Sequence, residues 1–218
     1  NRAVVFVDNH DNQRGHGMAA QTTHRDGRVY DLANVFMLAW PYGYPKLMSS
    51  YEWGGVDDNR GPPHDGSGNT LPVFADAHTA DCAGDNWICE HRRFGLLRMV
   101  DFRNRARAAG ASGVTDWWVD GAQLAFALED EQGFAFVAIN SDPQQRLGGR
   151  LQTGLPEGRY CDLLGVGAGG TLLTGLDKPG AAVPRCRVGK IAVDAEGYVD
   201  LDLAPLQALL IDRERRQP

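Results

Sequence analysis

The chain opens on an uninterrupted apolar, β-branched run, residues 3–7, and then turns abruptly polar through Asp8, Asn9, His10, Asp11, Asn12, Gln13, Arg14, Gly15 and His16. A run without polar alternation is the pattern of a strand buried on both faces of a parallel sheet, so the polar cluster is predicted to stand at that strand's C-terminal end. Val29, Leu32, Val35, Phe36 and Ala39 then recur at helical spacing, with Asp26 as the predicted cap and Pro41 and Gly43 as the stop. The stretch YPKLMSSY reads as the next strand, and the Gly, Pro and Asp-rich segment from Gly54 to about Ala80 reads as a long loop. A second helix is predicted over residues 86–106, with Asp85 as its cap and Trp87, Phe94, Leu97 and Val100 on one face. Beyond residues 108–113 the period falls to two: Leu124, Phe126 and Leu128 alternate with Ala125 and Ala127, and FAFVAIN repeats the habit. Further strands are predicted at 159–164, 191–194, 198–203 and 208–212, divided by Gly-rich turns. Two strand-helix units, an α/β portion, are thus expected over residues 1–107, followed by an all-β antiparallel sandwich over residues 108–218.

Composition narrows what such a chain can do. With 22 Lys and Arg against 28 Asp and Glu, and no basic run, it builds no face for nucleic acid. It holds no stretch of about 18 apolar residues, which argues against a membrane partner. The sequence enters a strand within a residue or two of Asn1 and is read as a piece of something longer. Cys82, Cys89, Cys161 and Cys186 allow three pairings, or none if all four are buried thiols. Zinc fits poorly, since no Cys-x2-Cys or His-x3-His spacing accompanies them. Joined as near neighbours, they would close loops worth about 2.5 and 3.5 kcal/mol and would place the protein outside the cytosol. GVGAGGTLLTG is read as a Gly-rich turn, because no strand-to-helix context makes it a phosphate loop.

Ligands in α/β architectures sit beyond the carboxyl ends of parallel strands, where residues 8–16 are predicted to stand. A lone Asp there serves a turn or cap more often than chemistry, but a polar succession of this length exceeds what a turn needs. FVDNHDNQRGHG resembles the last of the short signature segments of the α-amylase family, in its animal-type, chloride-dependent form. The resemblance continues in order through PYGYPKLMSSYEW, GPP, CAGDNWICEHR, MVDFRN and LQTGLPEGRYCD, and so covers nearly the whole chain.

The resemblance implies a (β/α)8 TIM barrel followed by an antiparallel Greek-key β-sandwich, with residues 1–107 holding only the last two strand-helix units. It implies endo-hydrolysis of α-1,4 bonds in starch, glycogen and malto-oligosaccharides with retention. That chemistry needs a carboxylate nucleophile and a carboxylic acid about 5–5.5 Å apart, and both come from barrel strands outside this chain. The chain alone is therefore expected to be inactive and to need the N-terminal half of the same protein as its partner. Asp11 matches the family's third carboxylate, a catalytic residue, and His10 and His16 match substrate contacts. Asn9 and Lys46 match chloride ligands. Lys46 stands where many relatives carry Arg, so a weaker anion site is expected from a single compact charge in place of a two-pronged donor.

The resemblance also implies the pairings Cys82 with Cys89 and Cys161 with Cys186, secretion and a monomeric complete enzyme. Calcium is expected in that complete enzyme but not on these residues. Arg14 is expected to fix its loop by pairing with a carboxylate, and Tyr51, Trp53, Trp117 and Trp118 to pack in cores more than stack on sugars. The competing reading is a β-sandwich that grips glucan without catalysis.

Overall fold

Val4 and Val5 form a strand, β1 (Val4–Val5), that pairs in parallel with β2 (Tyr44–Pro45), Val4 opposite Tyr44 and Val5 opposite Pro45. In this computed structural model, which describes residues 3–16, 22–55, 59–74, 82, 86–93, 95–164 and 190–217, the two strands are joined through helix α1 (Arg28–Ala39). The backbone N–H groups of Tyr44 and Lys46 extend the ladder to the carbonyls of Ala3 and Val5, at 2.8 and 2.9 Å. Gly43, at φ +66°, lets the strands approach so closely that a side chain there would press on Val5 and the Ala3 carbonyl. The expected strand was to be buried on both faces, yet Val4 and Phe6 are exposed. The reason is that β1 pairs along one edge only and that, among the described residues, the face carrying Val4 and Phe6 is left uncovered.

Asp26 does not cap α1. It closes a short 3-10 turn, His24–Asp26, in a reciprocal capping box: Asp26 accepts from the Thr23 N–H at 2.7 Å, and the Thr23 hydroxyl accepts in return. The chain then swings through Gly27, at φ +56°, into α1. The second helix, α2 (Leu96–Ala108), begins ten residues later than its periodicity predicts. Asn86, Cys89 and Gly95 all have positive φ, which no helix tolerates, and the Cys82–Cys89 disulfide and the 3-10 turn Glu90–Arg92 occupy the interval. Trp87 lies in an extended segment bridged to Tyr51, so its apolar spacing served a different partner. Asp85 and Phe94 lie outside the described residues, as does Cys186.

After α2, the regular elements among the described residues are strands, apart from a 3-10 turn at Arg213–Arg215. β3 (Gly113–Asp120), β4 (Gln123–Glu129), β5 (Ala135–Asn140) and β10 (Gln207–Asp212) form an antiparallel sheet in the order β10-β5-β4-β3. β6 (Leu147–Gln152) pairs with β9 (Tyr198–Leu203), and β7 (Gly158–Cys161) lies between β11 (Arg216–Gln217) and β8 (Lys190–Val193). Strands β3 and β6 escape the sequence pattern for local reasons. A bulge with Asp116 at φ +50° interrupts the alternation of β3, and Gly148 and Gly149 leave β6 without apolar side chains at its middle.

One continuous buried cluster joins the two portions: Leu32, Val35 and Leu38 of α1 and Met99, Phe102 and Ala106 of α2 meet Phe126, Phe136 and Leu210 of the large sheet. Every residue of β5 is buried, as a strand covered on both faces must be. Each large side chain so buried contributes about 1.5–3 kcal/mol relative to exposure. Charged groups reinforce the junction. Arg105 of α2 donates at 2.7 Å to the fully buried Asp212 and to Glu214, and at 2.9 Å to Asp101. Arg28 reaches the Leu206 carbonyl from the first turn of α1, at 3.2 Å.

Candidate functional site

The segment after β1 folds into a 3-10 turn, Asn12–Arg14, and its own side chains dictate that shape. The Asn9 side-chain oxygen accepts from the backbone N–H groups of Asp11 and Asn12, both at 2.9 Å, while Asn12 returns an acceptor to the Asn9 N–H at 2.7 Å. These are the local bonds that make Asn and Asp favour turns. Gly15, at φ +85°, ends the turn.

Asp11 projects from this turn with 65% of its side-chain surface exposed, and His10 lies beside it with Nε2 3.4 Å from Oδ1. The His16 N–H donates to the Asp11 carbonyl at 3.2 Å, which keeps Asp11 and His16 on one tight loop. Asn9, having turned its oxygen inward, offers the side-chain N–H2 as a donor. Lys46 stands one residue past β2, with its ammonium over the Tyr44 ring, 5.4 Å from the centroid. Asn9, His10, Asp11, His16 and Lys46 thus all lie on the C-terminal side of the parallel pair.

Beneath this exposed rim runs a buried hydrogen-bonded chain that the sequence does not announce. The Tyr30 hydroxyl donates to Asp8 Oδ1 at 3.0 Å, and Gln13 Nε2 donates to Asp8 Oδ2 at 2.5 Å. The same Gln13 amide donates to Ser50 Oγ at 2.7 Å. Ser50 in turn donates its hydroxyl to Glu90, and its backbone N–H reaches both Glu90 oxygens, at 2.7 and 2.8 Å. Asp8, Gln13, Tyr30, Ser50 and Glu90 are all buried. Burial pushes the Asp8 and Glu90 carboxyls above the usual carboxylate range, and their hydrogen bonds pull partly back. Asp8 is visible in the first polar cluster. Ser50 and Glu90 lie 37 and 77 positions beyond Gln13, inside the segments PYGYPKLMSSYEW and CAGDNWICEHR, where nothing in the sequence marks them as partners.

Arg14 is also buried. It donates to the Arg60 carbonyl at 2.8 Å and lies over the Tyr51 ring at 4.6 Å, so it fixes the loop through a carbonyl and an aromatic face. Trp53 is buried under the Arg25 guanidinium, 3.6 Å from its centroid, whereas Trp117 is 50% exposed on the edge strand β3, between Trp40 and Phe126. Among the described residues, no group of three or more His, Cys, Asp or Glu side chains is arranged to hold a metal ion. No helix among them is long and apolar enough to cross a membrane.

No family model matches the chain. Among curated relatives, an α-amylase of Acarus siro is 41% identical over 213 residues, which is 93% of this chain and 37% of that protein. A pancreatic α-amylase of Sus scrofa is 42% identical over 185 residues, 80% of this chain and 34% of the relative. Among solved structures, α-amylase I of Eisenia fetida, in a complex of a variant with maltohexaose, superposes with a TM-score of 0.70 at 34% identity, over 96% of this chain and 40% of the other. A gamma-CGTase from Alkalophilic bacillus clarkii, at 21% identity and a TM-score of 0.55, shares the fold alone. The chain therefore belongs to the α-amylase family, and it spans about a third of the length of the curated relatives it matches.

Proposed function

We propose that this chain is the C-terminal part of an α-amylase, a glycoside hydrolase that cleaves internal α-1,4-glucosidic bonds of starch, glycogen and malto-oligosaccharides with retention. In this reading, residues 1–107 supply the last two strand-helix units of a (β/α)8 barrel and residues 108–218 a Greek-key β-sandwich. The observation that carries it is the exposed Asp11, paired with His10 on a self-capped turn just past a parallel strand whose other face is open. Val4, Phe6 and Tyr44 are 55%, 44% and 55% exposed, as strands would be that await neighbours from the rest of a barrel.

The nucleophile and the general acid belong to the remainder of the protein. Asp11 accepts hydrogen bonds from sugar hydroxyls, and these strengthen as positive charge develops on the ring, so the carboxylate favours the transition state over bound substrate. His10 and His16 donate to further hydroxyls. Replacing Asp11 with Asn in the complete enzyme should lower kcat by roughly 100-fold or more. Undiminished starch cleavage would overturn the reading. The 218-residue chain by itself should show no hydrolysis.

Chloride fits the donors present only in part: the Asn9 amide N–H2 is free to donate, while the Lys46 ammonium is drawn toward Tyr44. When bound, the anion would raise the proton affinity of the acid. Activity of the complete enzyme should rise with chloride and saturate only at high concentration, and a flat response would remove Asn9 and Lys46 from the site. Calcium is assigned to the rest of the enzyme. Secretion is supported by the Cys82–Cys89 disulfide, which oxidising compartments preserve. A second reading, glucan binding by the sheet portion, rests on the half-exposed Trp117. If it holds, Trp117→Ala should abolish retention of the chain on a starch gel.

A further inference from the structure

We infer that the buried chain Tyr30–Asp8–Gln13–Ser50–Glu90 sets the position of Asp11, with Gln13 and Glu90 as positioning residues for the reaction proposed above, on which this inference rests. Asp11 is too exposed to be held by its own side chain, which lies beside the still more exposed His10. Its place is inherited from the backbone of residues 9–14. That backbone closes on itself through Asn9, but a self-closed turn fixes only its own shape. Arg14 ties it to Tyr51 and Arg60, and Gln13 ties it to Ser50 and through Ser50 to Glu90: its backbone N–H meets the Asn9 carbonyl at 3.1 Å and its amide plunges into the core.

The amide has one workable orientation. Both Nε2 hydrogens are used, one toward Asp8 and one toward Ser50, whereas Gln13 Oε1 has no partner among the described residues. Turning the amide over would set that oxygen against the Asp8 carboxyl. It would also demand the Ser50 hydroxyl hydrogen, which Glu90 holds. Glu90 thus fixes the polarity of the whole chain from the turn that precedes α2, 77 residues from Gln13. Three loop segments are tied together at their buried ends, and the rim above them carries the exposed carboxylate. Displacements of about 1 Å at a reacting group cost on the order of 100-fold in rate, so a buried clamp of this kind has leverage on catalysis without touching substrate.

The test is a double-substitution cycle in the complete enzyme, read as kcat and KM on a malto-oligosaccharide with an activated leaving group. Gln13→Leu and Glu90→Gln should each lower kcat at least about 10-fold while KM changes little. In an Asp11→Asn background, either should lower it hardly further, because each acts through Asp11. Equal losses in both backgrounds, or no loss with Asp11 intact, would overturn the inference while leaving the proposed function standing. Full activity of Asp11→Asn alone would instead sink the function itself. Thermal melts report folding, and Glu90→Gln, which keeps the side-chain volume, carries the cycle if Gln13→Leu does not fold. Ser50→Thr, which keeps the hydroxyl, should hold near wild-type kcat, and a loss equal to that of Gln13→Leu would count against the relay.

Discussion

At the scale of single residues, the buried polar chain makes the sharpest demands. Removing the Ser50 hydroxyl would leave one Gln13 hydrogen without an acceptor and Glu90 without its closest donor, both inside the core. Ser50→Ala should therefore destabilise by about 1–3 kcal/mol, measured as a shifted denaturant midpoint with an unchanged slope. The carboxyls give a second test. Since burial raises the Glu90 pKa above the ordinary 4.5, the folded protein binds that proton more tightly than the unfolded chain does. Its contribution to stability is then complete below that ordinary value and is lost as pH rises through the raised one. Glu90→Gln should flatten the fall in stability as pH rises above about 4.5, followed by denaturation at a series of pH values. Asn9, His10 and Asp11 were legible because they are consecutive and match a family segment. Ser50 and Glu90 also stand in matching segments, but their part in one chain was not legible, because hydrogen bonds spanning 37 and 40 residues leave no local pattern to read.

Among elements, the ones with a single dominant period were legible and those shaped by backbone exceptions were not. Helix α1 keeps its apolar spacing from Leu32 to Ala39 and ends as Pro41 requires. The expected start of α2 failed because the interval from Asn86 to Gly95 is spent on left-handed residues and a covalent loop. That loop should matter energetically: replacing Cys82 and Cys89 together by Ser frees a seven-residue separation and should cost about 2.5 kcal/mol, read as a lowered melting temperature. Between β4 and β5, Gly133 has φ +74°, and a methyl group there would strike the Gly154 carbonyl oxygen. Gly133→Ala should cost more than about 2 kcal/mol, from strain and clash together, by chemical denaturation.

For the molecule as a whole, the junction between helices and sheet is held by packing and by cations, Arg28 and Arg105 among them. Arg105 of α2 meets Asp212 of β10, which has no exposed surface, along with Glu214 and Asp101. Arg105→Met would strand a buried carboxylate and should cost about 3–5 kcal/mol, visible in a thermal melt. Because the buried cluster runs unbroken from α1 to β10, the loss should lower one cooperative transition and not split it. The α/β-then-β order was readable from the switch in period. That both portions share a core was not, since apolar positions do not state which element they face. The bare face of β1 and β2, with Val4, Phe6 and Tyr44 turned to water, has a practical corollary. Supplied separately with the polypeptide that precedes it in the full enzyme, this chain should behave as one half of a split reporter. On the function proposed above, mixing would restore amylolysis at a rate second order in the two pieces, and Val4→Lys would block the rescue while sparing the fold of the sheet-rich half.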